Sequence, residues 1–357
     1  MQKTVETMIN SHFSTDLYTY SRLEGGISNE SYKVRFFGQN PSHETLVFTI
    51  FRDTSDWWKI EKESLIRDVL DGDPEVLIPK MYDGGYELVD GNETGFLIRE
   101  FVEGYNLDET IESRLMEKER TQHITNLAQD LGYRIGTFHR NDNLTDNEIM
   151  GLNPAYYTNW IQHVLEQVNE ESRKIFELSN DQGIGGISPA KIVQLLPGLH
   201  NQIGSTQTNL LGSSLSMSHG DARFANFIAN SGENGIWQIK SLIDLEDVLV
   251  GDPEIDIAFI ENWLYFSSYK NEFYDQKKDF LRGYNITRKI SPNYPQKRLI
   301  YHALRSLSYL RTIFGLNRNN LLRNNPNIQT YVLKHFSILQ SLERGYALED
   351  LNIDSIV

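Results

Sequence analysis

The chain contains no cysteine, which removes disulfides, thiolate metal sites and cysteine nucleophiles in one step. It also lacks a basic excess: 34 Lys and Arg stand against 49 Asp and Glu, for a formal net charge of −15. Docking on nucleic acid or on an anionic membrane needs the opposite sign, so neither partner is expected. No apolar run approaches the roughly 20 residues needed to span a bilayer. The opening MQKTVETMINSHFSTDLY has no apolar core followed by small residues, so no secretory signal is read there and the expected compartment is the cytoplasm. The N-x-S/T triplets at Asn29 and Asn285 then carry no glycosylation meaning. H-E-x-x-H, paired CxxC and G-x-x-x-x-G-K-[ST] are all missing, which excludes a zinc peptidase and a Walker-type phosphate loop. GIGGIS at Gly183–Ser188 half-resembles a dinucleotide fingerprint, but its last glycine is wrongly spaced and no strand precedes it.

What is present is ordinary globular material of 357 residues, 39% hydrophobic and 11% aromatic, a length that favours two lobes over one core. From Leu17 to Phe101 short strand-like runs recur (LYTYSRL, SYKVRFF, ETLVFTIF, KMYDGGYELV, GFLIREF), separated by Gly, Asn and Asp turns. A helical pattern interrupts them at Asp56–Leu70. Beyond about Asn106 the period changes to that of helices, at Thr121–Asn141, Tyr157–Leu178, Ile255–Asn271, Arg298–Phe314 and Gln329–Arg344. Gly315 and Gly345 follow the last two and suit left-handed caps. Ser179–Pro189, Ser205–Ser218 and Asn317–Asn327 read as loops. The expected fold is α+β: an amino-terminal lobe of small antiparallel sheet plus one helix over residues 1–102, and a larger, mostly helical lobe over 103–357.

The segment Ser218–Phe259 concentrates the chemistry. In HGDARFANF, Asp221 and Asn226 keep the spacing of the kinase catalytic loop, in which the Asp takes a hydroxyl proton and the Asn holds a metal. In-line phosphoryl transfer needs a carboxylate near the attacking oxygen and a neutral oxygen ligand for magnesium, and one loop can supply both. Arg223, between them, would meet charge on the transferring phosphoryl group. The apolar run SLI then ends at Asp244, positioned to bridge magnesium to nucleotide phosphates. Asp247, Asp252 and Asp256 follow, a density of carboxylates that calls for compensation by metal, arginine or backbone N–H groups. Read blandly, these carboxylates cap helices and solvate turns. His219 and His139 read as packing residues, and Trp160, Trp263 and Tyr265 as core aromatics before they read as ligand stacks.

HGDARFAN followed by IDLEDVLVGDPEIDIA resembles the signature of the aminoglycoside phosphotransferase and choline kinase-like family, with every fixed position present. The resemblance implies a protein-kinase-like two-lobed fold, Asp221 as catalytic base, Asn226 and Asp244 as Mg²⁺ ligands, and Asp252 and Asp256 as loop anchors, with Glu246 at the metal or substrate edge. GGISNESYKV is similar to the family's nucleotide loop, which brings in Gly25, Gly26, Ser28 and Asn29. FVEGYNL is similar to its hinge, where backbone near Glu100 and Val102 would hold adenine, and LGYRIGTFH to the helix under the catalytic loop. One departure stands out. The third strand of the family carries Lys or Arg to pair the phosphates and a helix glutamate, whereas LVFTIFR offers Thr49 there and Arg52 only three residues later. Glu63 is the preferred helix partner, with Glu61 next.

The implied activity is ATP-dependent phosphorylation of a hydroxyl on a small molecule, with GTP as an alternative donor and Mg²⁺ as cofactor. Acceptors that fit the resemblance are aminoglycosides or other antibiotics, amino alcohols, homoserine and sugars. The acidic chain leans toward a cationic one. Asp247, Glu261 and Tyr265 are candidate acceptor contacts, and the state is monomer or homodimer. Without DFG, APE or a third-strand lysine a protein kinase fits worse. The alternative from another class is a nucleotide-binding scaffold without catalysis, motivated by Thr49.

Overall fold

The structure, a computed structural model, describes residues 2–13, 17–23, 30–37, 45–51, 57–70, 73–89, 91–140, 152, 160–206, 215–232, 234–264, 276–318 and 328–345. The chain divides into two compact units: Met1–Leu115, Leu144–Pro154 and Ala225–Val248 form the first, and Met116–Asn143, Ala155–Phe224 and Leu249–Val357 the second.

In the first unit, strands β1 (Tyr18–Arg22), β2 (Glu30–Phe36), β3 (Thr45–Phe51), β4 (Met81–Val89) and β5 (Asn92–Glu100) make one antiparallel sheet in the order β1-β2-β3-β5-β4. The alternation of β2, β3 and β5 gives the sheet two different faces. On one, Tyr32, Val34, Phe36, Leu46, Phe48, Ile50, Phe96 and Ile98 pack with Val5, Met8 and Ile9 of helix α1 (Gln2–His12). On the other, Phe51 and Leu97 meet Ile60 of helix α2 (Trp58–Leu70). Gly95 lets α2 come close, since a Cβ there would stand 2.8 Å from Ile60 Cδ1. A second sheet joins the two-residue β6 (Tyr105–Asn106) to a hairpin of β8 (Phe227–Ser231) and β9 (Trp237–Leu242).

The second unit is helical: α3 (Arg120–Phe138), α4 (Trp160–Glu177), α5 (Pro189–Thr206), α6 (Glu254–Leu264), α7 (Lys277–Thr287), α8 (Tyr294–Arg318) and α9 (Ile328–Glu343). Among its described residues a small sheet pairs β7 (Ser216–Ser218) with β10 (Leu249–Gly251), antiparallel. Helices α3 and α7 touch through glycines. A Cβ on Gly132 would collide with the Phe280 carbonyl oxygen, and one on Gly283 with the Gln129 carbonyl oxygen.

All five strands and six of the helices expected from periodicity are present, with ends shifted by a few residues. Three helices, α1, α5 and α7, were not legible. Pro197, Gly198 and Gly204 punctuate α5 as if it were loop. The expected cap at Gly315 is corrected: α8 continues to Arg318 and Gly315 lies inside it, whereas Gly345 does follow α9 at φ +79°. The second half of the expected helix at Ile255–Asn271 lies outside the described residues. Among the described residues no helix is long and apolar enough to cross a membrane.

The glycine contact makes a direct prediction. Gly132→Ala and Gly283→Ala should each destabilise the protein by about 1–3 kcal/mol through overpacking. Gly315→Ala, with nothing within 4 Å of the added carbon, should stabilise by about 0.5–1 kcal/mol. Thermal or denaturant unfolding reads the difference, and equal effects at the three positions would refute the packing argument.

Candidate active site

In the second unit the loop bearing Asp221 is fixed by a buried carboxylate. Asp256, in the first turn of α6 and fully buried, accepts the His219 N–H at 2.6 Å and the Gly220 N–H at 2.9 Å, one on each oxygen. Gly220 is left-handed at φ +78°, and only glycine turns there without cost. Asp256 Oδ2 also accepts from His139 Nε2 at 2.8 Å, and His139 Nδ1 lies 3.1 Å from the Tyr284 hydroxyl. Burial pushes the Asp256 carboxyl up, but the hydrogen bond and charge of His139, with His219 close by, outweigh it and hold the pKa below the usual value. His219 and His139 are thus packing and positioning groups.

Asp221 itself is held between two guanidiniums, Arg223 through Nε to Oδ2 at 2.9 Å and Arg305 of α8 through Nη2 to Oδ1. Burial again works upward, and the charges of Arg305 and then Arg223 bring its pKa below the ordinary aspartate value. The Arg305 guanidinium carbon lies 4.5 Å from the ring centroids of both Phe259 and Tyr309. Sequence reasoning missed Arg305. The signal was there: Arg298, His302, Arg305 and Tyr309 recur at helical steps on one face of α8. The same face binds Glu261, which is buried and lies 2.9 Å from Lys277 Nζ, 3.3 Å from His302 Nε2 and 3.6 Å from Arg298 Nη1. Glu261 therefore sits in an ion network that ties α6 to α7 and α8. Asp252 does similar work beside it, accepting Lys297 at 2.6 Å and the Tyr301 hydroxyl at 2.8 Å.

In the first unit the β8–β9 hairpin brings Asn226 and Asp244 to one end. Asn226 immediately precedes β8 and Asp244 follows β9, and Ile243 N–H donates to the Asn226 carbonyl at 2.9 Å. Asp244 takes φ 65° and ψ 59°, alone among described non-glycine residues in having positive φ. That conformation costs about 1–2 kcal/mol, and such strain gathers where function demands a side-chain direction. Glu246 follows at once, with its carboxylate 3.1 Å from Lys59 Nζ and its carbonyl accepting Lys62 Nζ at 2.7 Å. Burial and then the Asp244 charge raise the Glu246 pKa against Lys59. Burial lowers Lys62 to about 8 against the charges of Asp247 and Glu246. Neither lysine was singled out from sequence.

On the α2 face of the sheet, Thr49 is buried, and Glu63, also buried, is the helix carboxylate that reaches it, through Arg99. Glu61 instead accepts from the Tyr86 hydroxyl at 3.4 Å. Glu100 ends β5 with its N–H on the Lys80 carbonyl, and Val102 lies just beyond. Gly25, Gly26, Ser28, Asn29, Arg52 and Tyr265 lie outside the described residues. Among those described, no cluster of three or more His, Cys, Asp or Glu forms a metal cage. Asn226 and Asp244 supply an amide oxygen and a carboxylate, hard donors that suit Mg²⁺ when phosphate and water complete its shell.

A two-lobed α+β fold with this loop is that of a kinase-like phosphotransferase. The chain belongs to the phosphotransferase enzyme family, whose model matches residues 19–292. It is similar in structure to an aminoglycoside 2'-phosphotransferase-IIIa variant in complex with GDP, at 18% identity, TM-score 0.61, covering 96% of this chain and 97% of that one. It is also similar to a spectinomycin phosphotransferase bound to ADP and spectinomycin, at 14% identity, TM-score 0.58, covering 96% and 98%. An ethanolamine kinase from Plasmodium vivax matches at 14% identity, TM-score 0.58, covering 92% and 83%. A search of curated proteins finds none that matches the chain.

The Glu261 network has a testable pH dependence. Burial opposes ionisation of Glu261, but His302, Lys277 and Arg298 lower its pKa to about 2 from 4.5. A depressed folded-state value means that the stabilisation is complete above about pH 4.5 and is lost as pH falls toward 2. Glu261→Gln should therefore cost on the order of 3 kcal/mol at pH 7, with the gap to wild type closing below pH 4.5. A gap unchanged between pH 7 and pH 3 would refute the assignment.

Proposed function

We propose that the protein transfers the γ-phosphoryl group of ATP to a hydroxyl of a small molecule. The observation that carries this reading is the strained, left-handed Asp244 held beside Asn226 at the hairpin end, in a chain whose Asp221 loop is rigidly clamped by Asp256. Asn226 and Asp244 would hold Mg²⁺, which when bound neutralises charge on the nucleotide phosphates.

Asp221 orients the acceptor hydroxyl. Its oxygen bonds to the γ-phosphorus as the bond from that phosphorus to the β–γ bridging oxygen breaks, ADP leaves with the electron pair, and the hydroxyl proton passes to Asp221. A carboxylate with a depressed pKa is a weak base. A loose transition state asks little of a base until the new bond is largely formed, so orientation is the larger part of its work. Arg223 steadies charge on the transferring oxygens. Glu100 and Val102 offer hinge backbone to the adenine, and Gly25, Gly26, Ser28 and Asn29 the phosphate loop.

The acceptor belongs among aminoglycosides and other antibiotics, amino alcohols, homoserine or sugars. Support comes from the family and from relatives that bind spectinomycin or act on ethanolamine. Glu246 and Asp247 are candidate contacts at its edge; Glu261 is committed to its ion network and Tyr265 is a sequence-level candidate.

Asp221→Asn should lower Mg²⁺-dependent acceptor phosphorylation by about 10²–10⁴-fold while ADP affinity changes little. ADP release screened over these acceptor classes, with calorimetry for binding, measures both. Full turnover in Asp221→Asn would refute the assigned base, and nucleotide binding with no turnover on any acceptor would favour a scaffold. Asp244→Asn, which keeps the left-handed preference, should leave unfolding stability within about 0.5 kcal/mol and abolish the Mg²⁺-dependent activity. A large loss of stability with activity retained would show that Asp244 is structural.

A further inference from the structure

Thr49 stands where a kinase-like third strand needs a cation, and the sheet register shows what fills the gap. Thr49 on β3 pairs with Leu97 of β5 and with Ser31 of β2, and Arg99 lies two residues along β5, opposite Val47. By strand alternation Ser31, Thr49 and Arg99 share the face that carries α2, opposite the face packed on α1. The Arg99 guanidinium crosses over the shorter threonine: Nη2 donates to Thr49 Oγ1 at 2.7 Å, and Nη1 lies 3.3 Å from Glu63 Oε2. The Ser31 and Thr49 hydroxyls are 2.9 Å apart beside it. A third-strand lysine would form the same pair with the helix glutamate. Here a neighbouring strand sends the charge to that place.

We infer that Arg99 is the nucleotide-phosphate cation of this protein, displaced from the third strand to the end of the fifth. The inference rests on the kinase reading above. Three features support it. The first is shared pairing: Glu63 is held more tightly by Arg67, at 2.8 Å, than by Arg99, at 3.3 Å, so the carboxylate is not committed to Arg99 alone. The second is the partner chemistry, because Thr49 uses a neutral hydroxyl to accept from Arg99. It fixes the guanidinium without neutralising it. The third is accessibility, since the Arg99 side chain retains 18% exposure where Glu63 retains 7%. A planar guanidinium held at Nη2 by a hydroxyl still presents further N–H groups in a fork that matches phosphate oxygens.

The test compares full-length wild type, Arg99→Met and the double variant Thr49→Lys/Arg99→Met by calorimetric titration with a Mg²⁺-loaded non-hydrolysable ATP analogue and with adenosine. Arg99→Met should weaken the triphosphate at least tenfold and adenosine less than twofold, and the double variant should recover most of the loss. The ratio of the two affinities is the readout. Partial unfolding scales both apparent affinities by the same competent fraction and leaves the ratio intact. An unchanged ratio in Arg99→Met overturns the assignment while leaving the kinase reading standing. Wild type that binds neither ligand overturns that reading and this assignment together.

Discussion

The helical unit is organised around one fully buried carboxylate. Asp256 has no water to share, so both of its oxygens are satisfied by the protein: by two consecutive backbone N–H groups of the His219–Gly220 turn and by His139, itself backed by Tyr284. An unpaired charge in such a place would cost several kcal/mol. The turn, the end of α3 and the start of α6 must therefore stay in register, and the residue that follows the turn inherits their rigidity. Asp221 owes its position to this arrangement more than to anything in its own loop.

A second constraint runs through the sheet-bearing unit. Antiparallel pairing of Phe227 with Leu242 forces Asn226 and Asp244 to one end of the hairpin, and the left-handed turn at Asp244 then aims a carboxylate that ordinary strand geometry would send elsewhere. The lysines of α2 grip the next acidic residue, Glu246, by its side chain and its carbonyl. Helix α2 thus reaches the sheet through Glu63 and the acidic turn through Lys59 and Lys62. Both attachments are polar and directional, so a shift of α2 would be felt at each.

Much of this was legible beforehand because it is local. The five strands were legible as short runs of β-branched and aromatic residues between Gly, Asn and Asp turns, even though β3 and β5 are covered on both faces. HGDARFAN and the spaced carboxylates after Leu242 were readable because each spacing runs over only a few residues of one loop. The left-handed φ of Gly220 in the HGDARFAN loop came from the structure. Helix α5 was hidden because Pro197 and two glycines look like punctuation when tertiary packing is out of sight. Gly315 looked like a stop and is an interior residue, because a helix end is set by what packs around it as much as by its own sequence.

The sequence by itself determined the five strands, six of the helices, the family and the identity of the acidic and amide groups, all of which depend on spacings of a few residues. Tertiary structure alone decided which charges meet. Arg305 lies 84 residues from Asp221, and Arg99 lies 50 from Thr49, separations over which no periodicity carries information. Ion pairing depends on where folded backbones converge and on how much water is excluded there. A cation missing from one strand can therefore be supplied by another without leaving a mark in the motif.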